Sequence, residues 1–364
     1  MFSFLMIPAV IVAGLFGGWY LAAPFILGWM LVPFLDFLTG LNIRNLDTTT
    51  DDRKLFWHRA VTIAWVPAQI ALIVWAIWLV GAMDRPLWQD AVFALGLGVA
   101  TGGTGITFAH ELIHQQPRWE RRLGELLLIS TCYGQFATEH IHGHHITVGT
   151  PKDPVSARRG EWIYSFFLRA VAGTARSAWH IESNRLKKRG LGVYHRSNPF
   201  WRYTLGSILF LVVAYLLAGW MGVGFFVLQS LMAIYQLEAV NYVEHYGLTR
   251  EYLGDGKFER IKPHHSWNAS QRVSNWFLIN LQRHSDHHYR PGRRYPLLQH
   301  YSWKQAPQLP FGYATMIAMA IVPPAWRYVM DRRVDRWRRE FYPQISDWSA
   351  YDAGTIGEAN SAET

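Results

Sequence analysis

Histidine restricts this chain more than any other residue. Ten of its 16 histidines fall in four short clusters: His110-Glu111-Leu112-Ile113-His114, Glu139-His140-Ile141-His142-Gly143-His144-His145, Asn241-Tyr242-Val243-Glu244-His245 and Gln282-Arg283-His284-Ser285-Asp286-His287-His288. On a helix His110 and His114 lie one turn apart on one face, as do His140 and His144, and His284 reaches both His287 and His288. His142, two residues from each neighbour, points elsewhere. A zinc ion takes three or four protein ligands, so the remaining nine histidines overfill one zinc site and predict two metal ions. Shared ligands must also lie on one side of any membrane, and that fixes the topology.

Phe2 to Leu38 is apolar, with Asp36 its only charge, and is broken by Gly14, Gly17, Gly18, Pro24 and Pro33. With no basic leader and no cleavage site it reads as a helical hairpin rather than a signal peptide. Val61 to Gly81, with Pro67 inside, is a third span, and Gln89 to Phe108 is a fourth that runs straight into His110. Tyr203 to Trp220 and Val223 to Val243, parted by the Gly-rich turn Gly219 to Gly224, are a fifth and a sixth that ends at His245. The expected fold is all-α and polytopic, six transmembrane helices in three hairpins with a histidine-rich helical domain on the cytoplasmic side. Leu123 to Phe136 is also largely apolar, but a span there would part the first two clusters, so it is expected to pack in protein or lie at the interface. Arg176 to Arg189 reads as a solvated or headgroup-facing helix. The chain then divides into helices 1–4 over 1–109, histidine regions over 110–200 and 245–345, helices 5–6 over 201–244, and a small, polar, disordered tail over 346–364. Within 245–345, Phe311 to Met330 offers a seventh span, but its prolines and its Trp/Tyr/Arg end favour an interfacial or protein-packed helix.

A mean hydropathy of +0.01 hides this segregation of apolar runs from charged loops. The formal charge of +9, from 35 Lys+Arg, fits the positive bias of cytoplasmic loops and an anionic lipid surface; the spans argue against nucleic acid. The only cysteine is Cys132, so no disulfide and no C-x-x-C redox motif can form within the chain. An iron-sulfur or rubredoxin-type carrier must therefore be a separate protein.

A lone histidine is more often a core or interfacial residue than a ligand; clustering reverses this for His110, His114, His140, His144, His145, His284, His287 and His288, and draws in His245. His264 and His265, after Pro263, read as outer contacts, while His58, His180, His195 and His300 have no cluster. The acids Glu111, Glu139, Asp153, Glu244 and Asp286 are candidates to accept the second N–H of a ligand imidazole. Imidazole alone does not choose between iron, copper, zinc and nickel.

The order and spacing of these clusters resemble the membrane-bound non-haem di-iron oxygenases. With Thr150-Pro151-Lys152-Asp153-Pro154, Lys262-Pro263-His264-His265-Ser266-Trp267-Asn268 and Leu281-Gln282-Arg283-His284-Ser285-Asp286, residues 110 to 288 are similar to the alkane 1-monooxygenases. That resemblance implies two Fe ions held by His110, His114, His140, His144, His145, His245, His284, His287 and His288. It also implies six transmembrane helices in a bacterial inner membrane, a cytoplasmic active site, and electrons passed from NADH through a reductase and rubredoxin. The implied reaction is O2-dependent terminal hydroxylation of medium-chain n-alkanes to 1-alkanols. Xylene-type monooxygenases share the histidine framework and are the nearest alternative; membrane fatty acid hydroxylases and desaturases are more distant.

An alkane offers no polar handle, so it must be bound by burial, in a channel entered from the bilayer and lined by side chains such as Trp29, Phe37 and Leu112. Arg158, Arg159, Lys187, Lys188 and Arg189 form a basic surface for an acidic rubredoxin. A zinc protease with Glu111 as general base explains the first cluster alone. A metal transporter would place its site near the membrane midplane, whereas these clusters lie at span ends and in loops.

Overall fold

The computed structural model describes residues 2–357. It is predominantly helical, with one two-stranded antiparallel ribbon, β1 (Tyr252–Gly254) and β2 (Lys257–Phe258). The short apolar helix α1 (Met6–Phe16) turns at Gly17 and Gly18, both at positive φ, into α2 (Gly18–Thr39). Then come α3 (Asp52–Ala82), α4 (Leu87–Ile113), α5 (Arg118–Ile129), α6 (Ile163–Lys187) and α7 (Phe200–His245). Beyond them lie α8 (Arg272–Phe277), α9 (His284–Tyr289), α10 (Tyr313–Ala320), α11 (Pro323–Phe341) and α12 (Ser349–Ala353).

Among the described residues four helices, α2, α3, α4 and α7, are long and apolar enough to cross a membrane. The 46-residue α7 is not straight: Ala218 and Gly219 leave helical geometry, Gly219 with φ +58°. A side chain at Gly222 would come within 2.3 Å of the Ala214 carbonyl oxygen, so glycine permits the close turn-back. Pro67 is carried inside α3, and prolines at 117, 199 and 323 stand at or just before the starts of α5, α7 and α11, where a missing N–H costs nothing.

Two apolar cores result. One joins α1 to α5 and most of α7 through residues such as Trp65, Phe93, Phe108 and Phe226; the other packs Tyr242, Tyr246, Trp267, Trp326, Met330 and Trp337 around the far end of α7. As the sequence led us to expect, α5 packs in protein, with Leu127 and Leu128 buried. In α6, Ile163, Phe166, Ala170, Thr174, Ala178, Glu182 and Leu186 form one buried stripe at helical spacing.

Asp36, the lone acid of the first apolar stretch, does more than sit there. Its Oδ1 accepts the Val273 and Ser274 backbone N–H groups at 2.7 and 2.9 Å, capping α8 from another helix. The tail expectation needs correction. Residues 349–353 are helical, Tyr351 is buried, Trp348 packs on Trp337 and Tyr342, and Asp352 pairs with Arg338. Two aromatic anchors hold a segment whose average composition is polar; residues 358–364 lie outside the described part.

Candidate metal centre

The first cluster closes α4, His245 is the last residue of α7, and α9 opens with His284. The second cluster departs from the α-helical geometry assumed for it. Residues His140–His144 form a π turn, in which hydrogen bonds run five residues rather than four. Around an α-helix His140 and His145 would stand roughly 140° apart; here their Nε2 atoms are 3.1 Å apart. The rings of His140 and His144 stay stacked, centroids 5.2 Å apart, yet they fall in two different sets.

Those sets are His110, His114, His140 and His287, and His144, His245, His284 and His288; within each, the ligand atoms lie within 4.8 Å of one another. In the second, His288 Nε2 is 2.9 Å from His284 Nε2 and 3.2 Å from His144 Nε2, and His284 Nε2 is 3.2 Å from His245 Nε2. His145 stands between the sets, its Nε2 3.0 Å from His287 Nε2 in the first and its ring 4.5 Å from that of His288 in the second. All nine histidines named from the sequence thus come together, while His142 faces outward.

The donor chemistry fits metal ions. His110 Nε2 and His114 Nε2 are buried with no hydrogen-bond partner among the described residues, a costly state for a polar atom that a cation would relieve. Burial, together with the neighbouring imidazoles, holds His114 down to about 3 and His140, His145, His284, His287 and His288 well below the usual histidine range. The rings are therefore neutral, the form that ligates metal.

This has a measurable corollary in metal-free protein. The unfolded chain takes up protons on these histidines near pH 6.5, whereas folded His114 resists until about 3. The unfolded state binds more protons throughout that interval, so stability falls with falling pH. The thermal midpoint of chelated protein is expected to be level near neutrality and to drop progressively below about pH 6.5. A midpoint that stays constant from pH 7 to 5 would show that the imidazoles are not buried neutral.

The five carboxylates part company. Asp153 Oδ2 lies 3.0 Å from His144 Nδ1 and accepts the Ser156 hydroxyl at 2.6 Å. Burial alone would raise this carboxyl, but His144 and the hydrogen bonds outweigh it and hold it below the usual range. Glu244 Oε1 stands 3.2 Å from His284 Nδ1, close but off the hydrogen-bond line. The other three hold no ligand ring: Glu111 accepts Gln115, Glu139 accepts Ser177, and Asp286 is taken by Arg293, Tyr301 and the Gln299 amide, clamping α9. Asp153→Asn should weaken metal binding roughly 10- to 100-fold. Competition with a chelator, read as retained metal per chain, checks this, and wild-type retention would assign His144 another orienting partner.

His264 and His265 lie apart from the nine and form a third group with Glu259, their donor atoms within 4.8 Å of one another. The Lys262 backbone N–H donates to His265 Nδ1 at 2.9 Å, which puts the ring proton on Nε2, facing Tyr342 Oη and Glu259. His264 Nε2 contacts the same Tyr342 hydroxyl at 3.0 Å. The group pins α11 to the loop before α8. Sequence reasoning missed Glu238, fully buried in α7 and bound by Tyr133 Oη at 2.7 Å and Asn241 at 3.2 Å; a lone acid inside an apolar run was the available signal.

A mostly apolar cavity opens onto the histidines. Its wall includes His110 and His140 from one set and His284 from the other, with Trp29, Gly103 and Leu278 among the other lining residues. Of the three channel residues suggested by sequence, Trp29 lines it; Phe37 is 85% exposed and Leu112 is buried in the first core. Of the basic surface residues, Lys187, Lys188 and Arg189 are exposed, and Arg159 is paired with Asp335 at 3.0 Å.

The fatty acid desaturase family pattern matches residues 86–320. Among curated proteins, the chain is 42% identical over 322 residues to alkane 1-monooxygenase 2 of Pseudomonas aeruginosa, covering 87% of this chain and 85% of that one. It is 39% identical to alkane 1-monooxygenase 2 of Alcanivorax borkumensis, with 88% and 83% covered. The hydroxylase component of xylene/toluene monooxygenase from Pseudomonas putida is 28% identical, with 77% and 70% covered.

Proposed function

The chain belongs to the fatty acid desaturase family and groups with the alkane 1-monooxygenases, and on that premise we propose that it hydroxylates the terminal methyl group of medium-chain n-alkanes. In this reaction dioxygen, two electrons, two protons and the alkane give a 1-alkanol and water. The observation that carries the proposal is the apolar cavity ending on imidazoles of both histidine sets.

Two iron ions, held by His110, His114, His140, His145 and His287 and by His144, His245, His284 and His288, would supply the activation of dioxygen. The chain's own part is to bind, aim and exclude water. Trp29, Val32, Val99, Ile106, Leu237 and Phe277 offer the alkane only apolar contact, worth about 0.8 kcal/mol per buried methylene. His110, His140 and His284 mark the end of the cavity where the methyl group must arrive, and the same apolar wall keeps water from the reacting centre.

The single cysteine leaves the chain without a redox cluster of its own. Electrons come in this proposal from NADH through a rubredoxin reductase and rubredoxin. In this proposal the α1–α2 and α3–α4 pairs and the two arms of bent α7 serve as three hairpins, six spans in all, in a bacterial inner membrane. The Lys- and Arg-rich loops support a cytoplasmic position for the histidines.

The test is product analysis by gas chromatography. Iron-loaded protein with NADH, reductase and rubredoxin receives a mixture of n-alkanes and p-xylene under oxygen. Terminal alkanols are expected. Methylbenzyl alcohol as the main product would move the chain to the aromatic methyl-group oxygenases, and no oxygenated product from iron-replete, rubredoxin-reducible protein would end the proposal.

A further inference from the structure

On the polar side of the metal centre lies a second concavity, which the hydroxylation reaction does not require. It is walled by Arg118, Arg121, Arg122, Arg185, Arg189 and Arg202, against only two carboxylates, Glu125 and Glu182. Arg122 and Arg202 share Glu125, at 2.6 and 3.2 Å, and Arg185 takes Glu182 at 2.8 Å. Arg118, Arg121 and Arg189 have no ion pair among the described residues. All the Lys/Arg cations of the wall are arginine, whose planar guanidinium matches phosphate oxygens two at a time where lysine offers a point charge.

The level of this basin relative to the bilayer follows from its own wall. Ile113 is the last residue of α4 and Arg202 stands at the start of α7, so two span ends meet there, at headgroup height. Below Arg202, α7 carries Leu205, Leu209, Val212 and Leu216, 47 to 75% exposed, at steps of three, four, three and four residues: one apolar stripe leading down from the guanidiniums. Beside it α5 turns Trp119, 50% exposed, and Leu126 outward on the face that also carries Arg122. The two helices are tied by Arg202 to Glu125 and by the Ser207 hydroxyl to the Ile129 carbonyl at 3.4 Å. A cationic basin continuous with an exposed apolar stripe is complementary to a molecule with an anionic phosphate head and an acyl tail.

We propose that the arginine basin formed by α5, the C-terminal part of α6 and the start of α7 binds the headgroup of an anionic phospholipid, with the acyl chains along Leu205 to Leu216. The lipid phosphate lies against Arg118, Arg121 and Arg122, and the headgroup covers the side of the centre where His114 forms part of the basin wall. Concavity favours a headgroup over the convex surface of a folded electron-donor protein.

The test uses full-length, iron-loaded protein in a neutral detergent. It is titrated with phosphatidylglycerol or with phosphatidylcholine of the same acyl chains, with bound lipid counted by native mass spectrometry and the thermal midpoint read in parallel. One phosphatidylglycerol per chain is expected to be retained and to raise the midpoint, while phosphatidylcholine is lost. R118Q/R121Q/R122Q should bind phosphatidylglycerol roughly a hundredfold more weakly, since each arginine near an anionic surface contributes on the order of a factor of five. R118K/R121K/R122K should recover part of that binding, and iron content equal to wild type in both variants separates a lost site from a lost fold. Equal retention of the two lipids, or unchanged retention in the glutamine variant, overturns the proposal. Equal protection by inorganic phosphate would make this a free-anion site instead. A glutamine variant that keeps the lipid but raises the KM for the electron donor would make it a protein-docking surface.

Discussion

His140→Ala combined with His287→Ala is expected to strip one metal ion from the protein, while adding His144→Ala to that pair strips both; either variant abolishes hydroxylation. The two outcomes differ because the π turn at His140–His144 sends neighbours four residues apart to different sets, and the fold returns His287, 147 positions downstream, to the set of His140. Removing His140 and His287 leaves the first site with three imidazoles and the second with four, enough to hold an ion. Removing His144 as well leaves the second with an incomplete, less oriented set. In the di-iron proposal turnover fails in every case, since the reaction uses both ions. Metal per chain, measured after desalting against a weak chelator, separates the variants. If both lose the same amount, the nine histidines do not divide between two sites as the geometry has it. A double variant that kept turnover would remove the centre from the chemistry altogether.

The sequence was informative where chemistry is written in residue type and spacing, and silent where it depends on which backbone turn is adopted. Ten clustered histidines at the ends of apolar runs point to a polymetal centre at a membrane boundary, because few other arrangements satisfy so many imidazoles. Their division between sites was not readable: i,i+4 spacing pairs His140 with His144, and only the wider turn reveals His140 with His145. Adjacency misled in the same way for the acids. Glu111, Glu139 and Asp286 flank ligand histidines in sequence, yet they accept Gln115, Ser177 and Arg293, since residues next to one another on a helix face different directions. Asp153, eight residues beyond the nearest ligand, is the acid that orients one. Asp36 shows the complementary case: a single charge in an apolar stretch signals an exception, but its partners at Val273 and Ser274 lie more than 230 residues away and no local pattern names them.

Accepted chain length is the second property with a large expected response, and its control lies in a few residues of the cavity wall. Trp29 sits in the π turn Ile26–Leu31 of α2, half-buried, on the cavity wall with Gly28. Trp29→Ala opens that wall and is expected to extend the longest alkane hydroxylated. Gly103 works in the opposite direction: a side chain built there would meet only the Gln236 side chain, at 3.6 Å, so the space beside it belongs to the cavity. Gly103→Leu is then expected to shorten the range. Each methylene that can no longer be buried forfeits about 0.8 kcal/mol, about a fourfold fall in kcat/KM, so losing room for three methylenes lowers the rate on the longest substrates by roughly 60-fold and leaves the shortest nearly unchanged. Phe37, 85% exposed on the outer face of α2, supplies the control, and Phe37→Ala should leave the product profile as it was. Chain-length profiles from an equimolar alkane mixture decide the matter. A profile shifted by Phe37→Ala and indifferent to Trp29→Ala would move the substrate path to the lipid-facing side of α2; a Gly103→Leu enzyme that still accepted the longest alkanes would place it away from α4.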